Sequence, residues 1–332
     1  MFHKKRIFII ALIVMMLVSL VGCGGGQQTG GAQNEQGGGQ QGGTTFINIA
    51  TGGTSGTYYP LGGAMADIFN RNIDGVNASA QSTGASVANI NLIRDNSAQI
   101  ALVQNDIAYY AVNGTEMFEG NQYEGLKGLS TLYPETVQII TLASANINSV
   151  EDLKGKKVAV GAAGSGTEAN ARQILAAAGI TYEDISVQYL SFGEAASNLK
   201  DGNVDAAFVT AGFPTAAVQD IAASRGVKLI PLTDELIADL VSDYPFYTET
   251  PIPAGTYPNQ DEEVKAVSVM AMLVTGDTLD QELVYNMMDA LYGNLDRLEA
   301  AHSVGAQIKK ETATEGMPIE LHPGAQQFFE GK

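Results

Sequence analysis

Along most of this chain two patterns alternate: short runs of consecutive apolar residues, and longer stretches where apolar residues return every three or four positions. Phe46-Ile47-Asn48-Ile49-Ala50 predicts a strand, and a Gly/Thr/Ser loop then leads to a helix over 59–71. A strand over 77–81 precedes a helix over 86–94. Ile100-Ala101-Leu102-Val103 reads as a short buried strand, followed by a helix over 106–112. A longer strand is predicted over 138–143, and another over 157–160 before a helix over 167–178. Strands over 187–190, 206–209 and 228–230 are separated by helices over 194–200 and 215–224. A long apolar strand over 267–274 and an amphipathic helix over 281–294 follow. Strands spaced by helices predict an α/β protein whose sheets are mostly parallel and covered by helices on both faces.

The pattern occurs twice. Each half opens with a strand, a glycine-hydroxyl loop and a helix: Gly52-Gly53-Thr54-Ser55-Gly56-Thr57 first, then Gly161-Ala162-Ala163-Gly164-Ser165-Gly166-Thr167. Two such units predict two lobes with a cleft between them, because ligands of open α/β sheets bind beyond the carboxyl ends of the strands. The strands over 138–143 and 267–274 are the candidates for crossings between lobes, forming a hinge. Lobe 1 is then discontinuous, 44–137 with 270–332, and lobe 2 is 138–269.

The N-terminus departs from this alternation. Lys4, Lys5 and Arg6 precede an uncharged stretch over 7–20 that ends in Leu20-Val21-Gly22-Cys23. A positive end followed by a short apolar run is the pattern of a secretory signal peptide, here 1–22. The run is short for a bilayer span, which needs ~20 apolar residues. The segment before Cys23 resembles the lipobox of bacterial lipoproteins, in which the cysteine is acylated and becomes the mature N-terminus. Cys23 is the one cysteine of the sequence. The plain alternative is an uncleaved anchor helix with an incidental cysteine. Residues 24–43 are Gly and Gln with small polar residues and cannot form a core, so 23–43 reads as a lipidated cysteine and flexible linker. Twenty such residues reach roughly 25 Å. The expected location is extracytoplasmic, anchored by lipid to the outer face of a bacterial cell membrane or in a periplasm.

Charge narrows the partners. The chain has 18 basic and 36 acidic residues, and three of the basic ones lie in the leader. Phosphate contact needs clustered Lys and Arg, so no nucleic-acid partner is expected. With Cys23 acylated, no disulfide and no cysteine-based metal site is available.

Candidate chemistry concentrates in the loops. Gly52 to Thr57 sits before a helix, where free N–H groups and the helix dipole favour an anion, and Thr54, Ser55 and Thr57 add hydroxyls. The same loop serves equally as a turn with Thr57 as N-cap. It is not a Walker A loop, because no Lys follows the glycine. Gly164-Ser165-Gly166-Thr167-Glu168-Ala169 matches G-x-G-x-x-A after a strand, with Glu183 and Asp184 at about the spacing of a ribose-binding acid. That pattern fits a dinucleotide site or a carboxylate cradle. Ser82-Thr83-Gly84 and Gln104-Asn105-Asp106 close two strands and suit a cleft rim or helix caps. Asp201-Gly202-Asn203-Val204-Asp205 lacks the glycine and glutamate of a calcium loop and reads as a turn. His302 and His322 have no ligand partner nearby in sequence, and no G-x-S-x-G occurs.

A set of segments then recurs in a family order: Gly53-Thr54-Ser55-Gly56-Thr57-Tyr58-Tyr59-Pro60, Ser82-Thr83-Gly84-Ala85-Ser86, Gln104-Asn105-Asp106, Asp152-Leu153-Lys154-Gly155-Lys156, Gly164-Ser165-Gly166-Thr167-Glu168, Ile252-Pro253-Ala254-Gly255-Thr256-Tyr257 and Leu321-His322-Pro323-Gly324-Ala325. The chain resembles TAXI-family solute receptors of TRAP transporters over nearly everything after the linker. The Asp-Leu-Lys-Gly-Lys segment alone is common to many binding proteins. The resemblance implies a two-lobed periplasmic binding protein type II-like fold. It implies delivery of glutamate, glutamine or a related dicarboxylate to a TRAP permease driven by an ion gradient. By position it implies that Thr54, Ser55, Thr57, Tyr58, Ser82, Thr83, Gln104, Asp106, Ser165, Thr167 and Tyr257 line the cleft. Asn105 departs from the family pattern, which has a small or hydroxyl residue there.

Arginine is scarce near these loops. Arg94 and Arg172 fall mid-helix or later, so no bidentate clamp for a carboxylate is evident. An amino acid or monocarboxylate is therefore as well accommodated as a dianion. The expectation is a monomeric solute-binding lipoprotein without cofactor or metal, not an enzyme, whose lobes close over a small organic anion or amino acid. The alternative is an exported enzyme using the Gly164 loop for a nucleotide or substrate. A sensor ectodomain is the third reading.

Overall fold

The computed structural model describes residues 43–331. The leader 1–22, Cys23 and the linker up to residue 42 lie outside the described residues.

The elements run β1 (Thr45–Ala50), α1 (Tyr58–Asn72), β2 (Val76–Gln81), α2 (Ser86–Arg94), β3 (Ile100–Gln104), α3 (Asn105–Asn113), β4 (Leu126–Leu142) and β5 (Lys157–Gly161). Next come α4 (Gly166–Ala177), β6 (Ser186–Tyr189), α5 (Phe192–Lys200), β7 (Ala206–Ala211), α6 (Ala216–Arg225), β8 (Val227–Leu229) and α7 (Asp234–Asp243). The chain finishes with β9 (Thr248–Glu249), β10 (Val267–Gly276), α8 (Gln281–Tyr292), α9 (Leu295–Ala301) and α10 (Pro323–Glu330). No helix among the described residues is long and apolar enough to cross a membrane.

One sheet of ten strands carries the order β2-β1-β3-β10-β4-β7-β5-β6, with β8 beside β4 and β9 beside β10. The outer pairs are parallel: β1 with β2 and β3, β5 with β6 and β7. The centre is antiparallel, β10 pairing with β3 and β4, and β4 with β7. The sheet is thus mixed at its middle and parallel at both flanks, the α/β fold expected from the alternation.

The largest departure from the sequence reading is β4. A strand was expected over 138–143, and the strand runs from Leu126 to Leu142. Its first part carries Ser130, Thr131, Glu135 and Thr136, all buried, so the polar residues disguise a fully covered strand as a loop. Pro134 adds to the disguise. It pairs with Met270 beside a shift in register, where the ladder spares the missing N–H. The strand pairs with β10 over 126–136 and with β7 over 136–141, so it passes from one half of the sheet to the other. Helices α7, α9 and α10 also went unread.

The buried apolar residues form four clusters. Two draw on residues 47–133 and 271–328, with Ala169 and Phe246 packing into one of them. The other two draw on 137–269.

Candidate functional site

Loops that open helices after several parallel strands share one space. A cavity of about 60 Å³ lies among the segments following β1, β2, β5 and β6 and the last residues of β3 and β7, at the carboxyl ends of these strands. This is where open α/β sheets bind ligands. The loop after β1 supplies Gly52, Gly53, Gly56, Thr57 and Tyr58, and the loop after β2 supplies Thr83, Gly84, Ala85 and Ser86. Across from them stand Ala162, Ser165, Gly166 and Thr167 after β5, Ser191 and Phe192 after β6, and Thr210 and Ala211 of β7. Gln104 ends β3 and Glu135 comes from β4.

Of the residues expected in the cleft, the cavity brings together Thr57, Tyr58, Thr83, Gln104, Ser165 and Thr167. Thr54, Ser55, Ser82, Asp106 and Tyr257 are not among its lining residues. Thr54 and Ser82 are exposed, and the Ser82 hydroxyl donates to the Gly52 carbonyl at 2.9 Å. Ser55 offers its carbonyl to the Ala217 N–H at 3.3 Å. Asp106 is buried behind the cavity wall, accepting from the Ile107 N–H at 2.9 Å and the Asn170 amide at 3.1 Å. Tyr257 is buried in a network of its own: it donates to Gln138 and accepts from the Thr215 N–H at 3.0 Å.

Local geometry explains how the loops approach. Gly161 has φ +104, and a Cβ there would meet the Ser165 hydroxyl at 2.8 Å, so only glycine allows Ser165 to fold back. Ser165 then caps α4, accepting from the Glu168 N–H at 3.2 Å. At Gly166 a Cβ would sit 1.8 Å from Gln104 Oε1, so the missing side chain is what lets Gln104 lie against the start of α4. Ala85 takes φ 71 and ψ −149, a region nearly reserved for glycine, held by its N–H bond to the Thr83 hydroxyl at 3.0 Å. Thr57 does not cap α1 with its side chain. Its hydroxyl reaches across to the Gly212 carbonyl at 3.3 Å.

Two lining residues hold buried polar atoms with no hydrogen-bond partner among the described residues, Gln104 Oε1 and Thr210 Oγ1. Leaving such a group unpaired costs roughly 1–3 kcal/mol.

The residue that sequence reasoning missed is Glu135. It is 2% exposed and lies on the cavity wall. Its Oε2 accepts from the Tyr58 hydroxyl at 2.7 Å, and its Oε1 from the Tyr133 hydroxyl at 3.4 Å. Burial pushes its carboxyl from 4.5 up to about 8, opposed by the Tyr58 bond and reinforced by the nearby charge of Asp106. Asp106 is itself pushed from 3.8 to about 7 by burial. Glu135 was hidden because it falls in the unread part of β4; a lone acid between Pro134 and Thr136 carries no sequence signal of burial.

Other candidates resolve into structural roles. Glu183 and Asp184 do not line the cavity; the Asp184 carboxylate accepts from the Thr181 N–H and hydroxyl in an exposed turn. The Asp201–Asp205 segment is a turn, with Asp205 accepting from the Lys157 N–H at 2.8 Å. The rings of His302 and His322 each accept a backbone N–H at the start of a helical turn.

The profile of the NMT1-like family matches residues 49–332 of this sequence. The chain belongs to the NMT1-like family. Its fold likeness to solved structures is broad and its sequence likeness low. PhnD1 from Prochlorococcus marinus (MIT 9301), solved in complex with methylphosphonate, is 10% identical at TM-score 0.52, over 79% of this chain and 88% of that one. A binding protein component of an ABC phosphonate transporter from Pseudomonas aeruginosa is 14% identical at TM-score 0.52, over 80% of each chain. A protein of Bordetella bronchiseptica RB50 is 17% identical at TM-score 0.51, over 84% and 83%. The likeness establishes the architecture of this NMT1-like protein: a periplasmic binding protein type II-like fold.

Proposed function

We propose that this chain is an extracytoplasmic solute-binding lipoprotein that captures a small organic anion or amino acid and delivers it to a membrane permease. The observation that carries the reading is the cavity at the strand ends. Loops from both halves of the chain close on it, and glycines bring backbone to its wall. Capture follows from closing two lobes, 44–137 with 270–332 and 138–269, about β4 and β10. Thr57, Tyr58, Thr83, Gln104, Ser165 and Thr167, with Glu135 and Thr210, are the residues proposed to meet the ligand. A lipid on Cys23 and the linker behind it would hold this cleft near the membrane.

A TRAP permease of the TAXI type is the partner we favour, on the motif series in the sequence. The Pseudomonas aeruginosa neighbour serves an ABC transporter, which makes an ATP-driven permease the competing partner. Ligand uptake by whole cells separates them: collapse on dissipating ion gradients with ATP held constant supports the first, and insensitivity supports the second.

The binding reading is tested by thermal unfolding of the purified protein against glutamate, glutamine, 2-oxoglutarate and aromatic acids. One ligand should stabilise, by ~2.7 kcal/mol at a hundredfold excess over Kd. No shift with any acid or amino acid at millimolar concentration refutes it.

A further inference from the structure

Behind the cavity wall a group of polar side chains meets almost out of reach of water. Asp106 and Tyr110 come from α3, Asn170 and Gln173 from α4, and Tyr247 from the segment just before β9, and all are buried. The Asn170 amide donates to the Asp106 carboxyl at 3.1 Å and to the Tyr247 hydroxyl at 3.0 Å. Tyr247 donates to Gln173 Oε1 at 2.7 Å, and Gln173 Nε2 donates to the Tyr110 hydroxyl at 3.2 Å. Helix α3 follows β3 and α4 follows β5, strands on opposite flanks of the sheet, so the cluster joins the two halves of the chain. The charged contact across the same gap is weaker. Arg172 of α4 meets Glu116 at 3.3 Å with the two side chains 40% and 31% exposed, where water screens them.

A buried polar cluster stabilises only where its members are satisfied. Here Asp106 accepts from the Ile107 N–H at 2.9 Å and from Asn170, and no cation among the described residues offsets its charge. Asn170 Oδ1, in the side chain that Asp106 bonds, is buried and has no donor among the described residues. The cluster is short of a donor, and a proton on Asp106 adds one.

We propose that these side chains form a clasp between the lobes, closing when Asp106 takes up a proton and opening when it gives the proton up. The clasp rests on the two-lobe reading above and adds a control to it. Opening parts α3 from α4 and returns the carboxyl to water, where its ordinary range is near 4. In the closed form burial raises it from 3.8 to about 7. The closed form therefore holds the proton more tightly. Its advantage is full below about pH 4 and is lost as pH rises through 7. The titratable groups facing Asp106 are Tyr110 on its own helix, Tyr247, and Glu135 of β4. Burial holds both tyrosine hydroxyls above their ordinary value, so they stay neutral throughout this range. Other charged groups on the neighbouring elements are engaged elsewhere: Arg172 with Glu116 and Glu168, Arg94 of α2 with Asn121, and Lys127 of β4 with Glu320. Strands β3 and β10 carry no titratable residue.

The test is small-angle X-ray scattering of the full chain carrying Cys23→Ser, free of lipid, from pH 5.5 to 8.5. The radius of gyration gives the ratio of closed to open forms. That ratio should fall about tenfold or more between pH 6 and pH 8, one proton being released on opening. Glu135→Gln should keep the tenfold fall. Asp106→Asn, neutral at every pH, should lose that share of it and stay compact at pH 8. The comparison across pH needs no variant in the clasp, so poor folding of either variant leaves it intact. An unchanged ratio from pH 6 to 8, or a fall in Asp106→Asn as large as in its parent, overturns the clasp. Thermal stabilisation by the acids and amino acids above is measured on the same samples. Stabilisation without a pH response leaves the binding reading standing and removes the clasp, and absence of both responses overturns both.

Discussion

Replacing Tyr257 by Phe distinguishes a structural role for its hydroxyl from contact with ligand. The motif series put it in the cleft, whereas its hydroxyl lies in a buried network that pins the start of α6. It accepts from the Thr215 N–H at 3.0 Å and donates to Gln138, whose amide donates to the Thr215 hydroxyl at 2.9 Å. That hydroxyl in turn donates to the Gly212 carbonyl at 2.9 Å. Tyr257→Phe keeps the ring in the core and removes one oxygen. It leaves a buried backbone N–H and a buried amide oxygen without partners, at ~1–3 kcal/mol of stability. For a domain of this size that is a fall of about 2–9 °C in Tm. Urea and thermal unfolding of wild type and variant measure it, and titration with whichever ligand stabilises the wild type measures binding. Stability should fall by the stated amount with affinity changed less than about threefold, since the hydroxyl is not among the cavity's lining atoms. Unchanged stability with a tenfold or greater loss of affinity would refute the reasoning and return Tyr257 to the ligand.

Three further outcomes are expected. Because burial raises the carboxyls of Glu135 and Asp106 to about 8 and about 7, the folded protein binds protons that the unfolded chain has released. Their contribution is full below about pH 4 and is lost as pH rises through 7 and 8, so Glu135→Gln should stabilise relative to wild type at pH 8.5, by on the order of a few kcal/mol, and not at pH 4; urea midpoints at the two pH values check the sign. Gly166→Ala should keep the fold, since that backbone is ordinary helix and alanine favours it, but its methyl displaces the Gln104 amide. Ligand affinity should drop on the order of tenfold with little change in Tm, read by titration and thermal unfolding. Cys23→Ser should move the protein from the membrane fraction to the soluble exported fraction, seen by fractionation and by loss of the acyl mass.

Much of the architecture was legible because burial on both sheet faces writes itself as apolar runs. Strand β3 and helix α2 were read almost to the residue for that reason. The glycine-hydroxyl loops were legible too, and the cavity uses both. What failed was reading through buried polar residues. Ser130, Thr131, Glu135 and Thr136 satisfy their groups within the fold: Thr136 and Ser268 share a 2.7 Å bond, and Thr131 donates to the Thr312 carbonyl at 3.1 Å. Periodicity counts such residues as surface, so β4 over 126–137 was lost and Glu135 with it.

The sequence by itself determined the alternation of strands and helices and the glycines that let backbone reach the cavity, because each depends on neighbours in the chain. Only the tertiary structure decided which loop residues converge. Thr57 meets Gly212 and Gly166 meets Gln104 across long sequence separations. The same packing removed Tyr257 and Asp106 from the cavity wall and set the Glu135 carboxyl there. Contacts between distant segments, and the loss of water around them, are set by how the sheet closes and leave no local trace in the order of residues.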